Sequence, residues 1–265
     1  MFQDNNVTVT GRGSQAMMFA HGFGCDQNMW RQVAPAFEDD YRVVLFDHVG
    51  AGRSNLAAFD PERYGTLKGY ALDVLDICEH LHLRDAVFVG HSVSAMIGLL
   101  AAIERPACFS HLVLIGPSPC YINREGYHGG FDESDIQGLL ETLAANHLGW
   151  SRDMAPVIMG NPDRPALREE LTESFCRTDP EIAAHFARTT FTSDNRADLE
   201  RVRTPALVLQ CAEDVIAPES VGRYVHEKVR GSELVHLKAT GHCPHMSAPA
   251  EVIREMKRYL GRRSV

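Results

Sequence analysis

No apolar run in this 265-residue chain approaches the roughly 20 residues that a membrane-spanning helix needs, so no membrane partner is expected. Basic residues are in the minority, 26 Lys and Arg against 35 Asp and Glu, for a net charge of −9. Phosphate backbones are bound by concentrated positive charge, so nucleic acid is not an expected partner either. The basic tail Arg258, Arg262, Arg263 is short and reads as a solvated helix end. The seven cysteines (Cys25, Cys78, Cys108, Cys120, Cys176, Cys211, Cys243) form no C-x-x-C pair. An odd, scattered set reads as reduced thiols, which implies a cytoplasmic protein. The 13 histidines include no H-E-x-x-H or other metal-ligand spacing, so no metal is expected. A full G-x-G-x-x-G is missing too. Asp47-His48-Val49-Gly50-Ala51-Gly52-Arg53-Ser54 offers only G-x-G and reads as a structural loop rather than a dinucleotide site. Met1-Phe2-Gln3-Asp4 lacks the basic and apolar regions of a signal peptide, and none is expected.

What is there is an alternation. Ala16–Ala20, Arg42–Phe46, Ala86–Gly90 and His111–Ile115 read as strands, with helices at Asn28–Phe37, Leu67–Leu81 and Ser92–Glu104. The rhythm resumes with a strand at Ala206–Cys211, a helix at Glu219–Lys228, a strand at Leu234–Leu237 and a helix at Ala250–Leu260. This is the signature of an α/β fold, a mostly parallel sheet with helices on both faces. Between Pro119 and Asn195 the pattern is helical with no convincing strand. Asp135–Asn146, Leu167–Arg177 and Asp179–Arg188 are the clearest helices, with Asp132 or Ser134, and Asp179 before Pro180, as caps. Such a block is most simply a cap inserted over one edge of the sheet. The expected division is residues 1–118 and 196–265 as core and 119–195 as helical lid.

Val87-Phe88-Val89-Gly90-His91-Ser92-Val93-Ser94 runs from a strand into a helix. A serine on such a turn exposes its hydroxyl beside the free N–H groups of the first helical turn, which suits a nucleophile. The usual pattern is G-x-S-x-G; here Ser94 replaces the second glycine and, on the helix, is expected to face away from the strand-end crevice. Leu207–Cys211 runs into Ala212-Glu213-Asp214, placing a carboxylate at a strand end. Thr240-Gly241-His242-Cys243-Pro244-His245 follows the last strand. Ser92, Asp214 and His242 thus stand in the chain order of nucleophile, acid and base, His242 taking the Ser92 proton and Asp214 fixing its tautomer. Glu213 is an alternative acid, His245 an alternative base and Ser94 an alternative serine; His91 reads as support for the elbow. His21-Gly22-Phe23-Gly24 is a glycine-flanked turn after the first strand, and the N–H groups of Phe23 and Val93 are the expected oxyanion donors.

With these parts in order, the chain resembles the α/β-hydrolases of the branch that contains the bacterial stress-response regulator RsbQ and the plant karrikin and strigolactone receptors. The resemblance rests on H-G-F-G-C-D-Q-N-M-W, D-D-Y-R-V-V-L-F-D, V-G-H-S-V-S-A-M-I-G and G-P-S-P-C-Y-I-N. It also rests on Gly129-Gly130-Phe131, Phe191-Thr192-Ser193-Asp194-Asn195-Arg196, L-Q-C-A-E-D-V-I-A-P and G-H-C-P-H-M-S. L-Q-C-A-E-D and G-H-C-P-H-M-S look closer to the bacterial regulator. The resemblance implies an α/β-hydrolase fold with a four-helix, V-shaped lid over an apolar pocket and the triad at its floor. Phe23, Tyr121, Trp150, Phe186 and Phe191 are then the expected substrate-binding residues. It implies a cofactor-independent serine hydrolase of a small apolar ester or lactone, slow in turnover and active in signalling beside a PAS-domain sensor protein. The alternatives are a metabolic carboxylesterase, or an enol-lactonase or carbon–carbon bond hydrolase of a catabolic pathway. Dehalogenase chemistry is disfavoured, because it needs a carboxylate where Ser92 stands.

Overall fold

The computed structural model describes residues 4–262; Met1–Gln3, and Arg263 of the basic tail, lie outside the described residues. Among the described residues seven strands form one sheet: β1 (Thr8–Thr10), β2 (Ala16–Ala20), β3 (Arg42–Phe46), β4 (Ala86–His91), β5 (Phe109–Ile115), β6 (Ala206–Gln210) and β7 (Glu233–His236). Their order across the sheet is β1-β3-β2-β4-β5-β6-β7. Only β1 runs antiparallel, pairing Thr8 with Leu45 and Thr10 with Val43; the other pairs are parallel. The central strands β2, β4 and β6 are buried at every residue, as expected of parallel strands covered on both faces.

The helices are α1 (Leu67–His80), α2 (Val93–Glu104), α3 (Glu133–Ala145), α4 (His147–Met159), α5 (Pro165–Arg177), α6 (Pro180–Phe191), α7 (Glu219–Lys228), α8 (Pro244–Ser247) and α9 (Pro249–Gly261). Strand alternation sends side chains into two separate cores. Met17, Phe19, Val87, Val89 and Ile115 join Val252, Met256 and Leu260 of α9. Met18, Ala20, Phe88 and Leu114 join Val74 and Ile77 of α1 and Met96 of α2. Among the described residues no helix is long and apolar enough to cross a membrane.

Two local expectations need correction, and two elements, β1 and α4, carry no clear signal in the sequence. The helix expected over Asn28–Phe37 is two short 3₁₀ turns, Gln27–Trp30 and Ala34–Phe37. Pro35 has no N–H for an α-helical bond and so breaks the run. The edge strand β1 has three residues, too few to show a period. The segment from Pro119 to Asp132 is not helical: it folds on itself through bridges Ile122–Phe131 and Arg124–Tyr127. Helix α4 was hidden by Gly149 and Pro156, both poor interior formers; Asn146 caps it by accepting the Gly149 N–H at 2.9 Å. Of the two cap candidates for α3 the structure takes Asp132 and not Ser134, with Asp132 and Asp135 making a reciprocal capping box, and Asp179 caps α6 by accepting the N–H groups of Glu181 and Ile182.

Candidate active site

Three strand ends on the carboxyl side of the sheet supply the site. After β4 the chain turns at Ser92, whose φ of 57° and ψ of −123° put a non-glycine residue in the left-handed region. The turn is pinned because the Ser92 N–H donates to the Ile115 carbonyl at 2.8 Å, and α2 begins at the next residue. The Ser92 hydroxyl lies 2.7 Å from Nε2 of His242. Nδ1 of His242 lies 2.7 Å from Oδ2 of Asp214, and both side chains are almost fully buried. The other oxygen of Asp214 accepts the N–H groups of Ile216 and Ala217 at 2.9 and 3.0 Å. Burial pushes the Asp214 carboxyl up, but His242 and these donors outweigh it and hold it below the ordinary value.

The loop carrying His242 is held from several sides. Its N–H donates to the Ile158 carbonyl of α4 at 2.8 Å, and its carbonyl accepts Nε2–H of His91 at 2.8 Å. Gly116, at φ +56°, passes so close that a Cβ there would stand 3.2 Å from Cε1 of His242 and 3.5 Å from Oδ2 of Asp214. The turn at Gly22 packs directly on the elbow: a Cβ there would lie 3.4 Å from that of Ser92 and 2.6 Å from Nδ1 of His91. Helix α5 is tied to the same turn, with the Ser174 hydroxyl on the Gly24 carbonyl at 2.9 Å and a bidentate pair between Arg31 and Glu170.

The competing residues are placed elsewhere. Glu213 points its carboxylate to solvent and offers only its carbonyl, 2.7 Å from the Gly241 N–H. His245 is buried on α8 with its ring 4.4 Å from that of His91 and 4.7 Å from Trp30. His91 supports the loop of His242 rather than Ser92; burial, and then the charge of His242, lower it to about 3. Asp47 is structural: its carboxylate accepts the N–H groups of Gln27 and Arg53 and the Asn6 side chain. Ser94 does turn from the crevice, yet its hydroxyl is bonded to His21 and His48.

A cavity above Ser92 is lined by Phe23, Ile158, Phe175, Phe191, Ile216 and His242, with Cys25 and Cys243 in its wall. It is small, about 30 Å³ open to the centre of a water molecule. Of the aromatic residues expected to bind substrate, Phe23 and Phe191 line it. Trp150 and Phe186 stand behind them, 6.0 and 5.8 Å from the Phe23 ring. Tyr121 is buried against Phe191. Burial pushes its phenol up to about 12, although the neighbouring Ser92 hydroxyl pulls it down. Phe175 was missed, because a phenylalanine in an amphipathic helix carries no sign of which neighbour it meets; its ring stacks on Trp150.

The comparisons agree with this fold. The model of the alpha/beta hydrolase family matches residues 17–255. A strigolactone esterase from Arabidopsis thaliana is 43% identical, covering 97% of this chain and 96% of its own. A karrikin insensitive 2 receptor from Petunia hybrida is 39% identical over 97% and 95%. The solved structure of a hydrolase from Oleispira antarctica superposes with a TM-score of 0.95 at 40% identity, covering 98% of this chain and 95% of that one. The chain is a hydrolase of the α/β hydrolase family, on the branch that holds the strigolactone and karrikin receptors.

Proposed function

We propose that this protein hydrolyses a small, mostly apolar ester or lactone through Ser92, His242 and Asp214, and that the reaction serves signalling. The observation that carries the reading is the unbroken Ser92–His242–Asp214 hydrogen-bond line at a strained elbow beneath an apolar cavity. Ser92 Oγ bonds to the substrate carbonyl carbon as its proton passes to Nε2 of His242. The oxyanion is held by the N–H groups of Phe23 and Val93; the latter opens α2, where N–H groups have no helical partner. Collapse expels the alkoxide, which takes the proton from His242, and a water activated by the same imidazole then releases the acyl group.

The cavity supports slow turnover. At about 30 Å³ open to the centre of a water molecule it is narrow, and in this reading a substrate enters by moving the rings of Phe23, Phe175 and Phe191. In this reading residues 119–195 act as a lid whose shape reports the ligand, and the partner is a PAS-domain sensor protein of the kind that works with RsbQ. The cytoplasm is the matching compartment, since all seven cysteines are free thiols.

The test is hydrolysis of a short-chain p-nitrophenyl ester by the wild type, Ser92→Ala and His242→Ala. Loss in both variants supports the triad; activity surviving in Ser92→Ala sinks it. Turnover near 10 per second on a simple natural ester, the ordinary metabolic range, would replace signalling with catabolism.

A further inference from the structure

The serine that replaces the second glycine of the elbow is tied into a buried network that the hydrolytic scheme leaves unused. Ser94, His21 and His48 are all fully buried. The Ser94 hydroxyl donates to the His21 carbonyl at 2.5 Å and lies 2.7 Å from Nε2 of His48. A hydroxyl has one proton, and a carbonyl can only accept, so Nε2 of His48 carries the proton in that second bond. Nδ1 of His48 is then the bare nitrogen, and it has no hydrogen-bond partner. The His48 backbone N–H donates to Nε2 of His21 at 3.0 Å, which leaves the His21 proton on Nδ1. That proton reaches the Gly22 carbonyl at 2.9 Å. Every tautomer in the network is therefore fixed by the next bond.

The consequence falls on Phe23. The Gly22 carbonyl and the Phe23 N–H belong to one planar trans peptide and point in opposite directions. Holding the carbonyl fixes where the N–H aims. Ser94 holds the preceding peptide through the His21 carbonyl, so two consecutive peptides of the turn are clamped from behind. We infer that Ser94, His48 and His21 form a positioning relay that aims the Phe23 N–H at the oxyanion of the reaction proposed above, on which this inference rests. Burial keeps both imidazoles below their ordinary value, so they stay neutral, as the network requires. The His48 ring is wedged edge-on against Phe46, Tyr70 and Phe186, which keeps it from rotating out of the relay.

The experiment compares the full-length wild type with Ser94→Gly, Ser94→Ala, His48→Phe and Ser92→Ala. Ser94→Gly restores the common elbow residue without crowding, and His48→Phe keeps a ring in place while removing the donor. A fluorophosphonate titration counts competent Ser92 sites, so misfolding lowers the count and leaves the rate per site intact. Per site, kcat on a p-nitrophenyl ester is expected to fall about tenfold or more in Ser94→Gly, Ser94→Ala and His48→Phe, with KM within about twofold. Inhibition by a trifluoromethyl ketone, which forms an oxyanion on Ser92, should weaken by the same factor. Wild-type kcat and inhibitor affinity in Ser94→Gly or His48→Phe would overturn the relay while leaving the triad intact. Activity persisting in Ser92→Ala would remove the nucleophile itself, and the relay with it.

Discussion

The carboxylate of Asp214 divides its work: Oδ2 meets Nδ1 of His242 at 2.7 Å, while Oδ1 is occupied by the N–H groups of Ile216 and Ala217. One oxygen anchors the carboxylate to its own turn and the other orients the imidazole. The orientation leaves Nε2 of His242 directed at Ser92, 2.7 Å away.

Asp214→Asn should therefore fold but lose activity. An amide that keeps its carbonyl on Ile216 and Ala217 presents an NH₂ to Nδ1, which forces the proton of His242 onto Nε2 and removes the acceptor for Ser92. The expected loss in kcat is about 10⁴-fold, with the melting temperature little changed. A fall of less than tenfold on an ester substrate would show that Asp214 does not set the tautomer.

Ser92 stores backbone strain at φ 57°. Ser92→Ala and Ser92→Gly both lose the hydroxyl and its bond to His242, and they differ in whether a Cβ must occupy the left-handed region. Glycine escapes that penalty, so Ser92→Gly should be more stable than Ser92→Ala by about 1 kcal/mol. For a domain of this size the difference corresponds to about 2–4 °C in melting temperature. Equal melting curves would mean that the elbow is unstrained.

Acid should destabilise the fold before carboxylates titrate. His21, His48, His91 and His245 are lowered chiefly by burial, His91 to about 3. The unfolded chain binds protons at these sites from about pH 6.5 downward and the folded chain does not. Their contribution is complete above that pH and shrinks as pH falls toward the folded values, by up to about 1.4 kcal/mol per pH unit for each histidine. Asp214, also lowered when folded, loses its contribution in the same direction, beginning near pH 4. Urea midpoints measured from pH 7.5 to 4.5 should drop with decreasing pH, and His245→Phe should flatten the drop. A midpoint constant between pH 7 and 5 would contradict the burial of these rings.

Much of this was legible along the chain because it depends on near neighbours. The apolar runs Ala16–Ala20 and Ala206–Leu209, each bounded by polar or turn residues, read as buried parallel strands, and a serine between a strand and a helix reads as an elbow. The order of Ser92, Asp214 and His242 follows from which strand each residue succeeds. Other choices were made by distant segments. Asp214 is distinguished from Glu213, and His242 from His245, by which side chain the packing of β5, β6 and α4 leaves facing Ser92. Ser94 reads as a small residue on a helix until β3 brings His48 beside it, 46 positions away in sequence. The cavity depends on contacts between remote segments, since Phe175 of α5 and Phe191 of α6 pack their rings against Phe23. Local sequence determined the elements and the chemistry they can offer. Only the tertiary structure decided which groups are desolvated together, because burial and hydrogen-bond partnership are properties of segments that are remote in the chain.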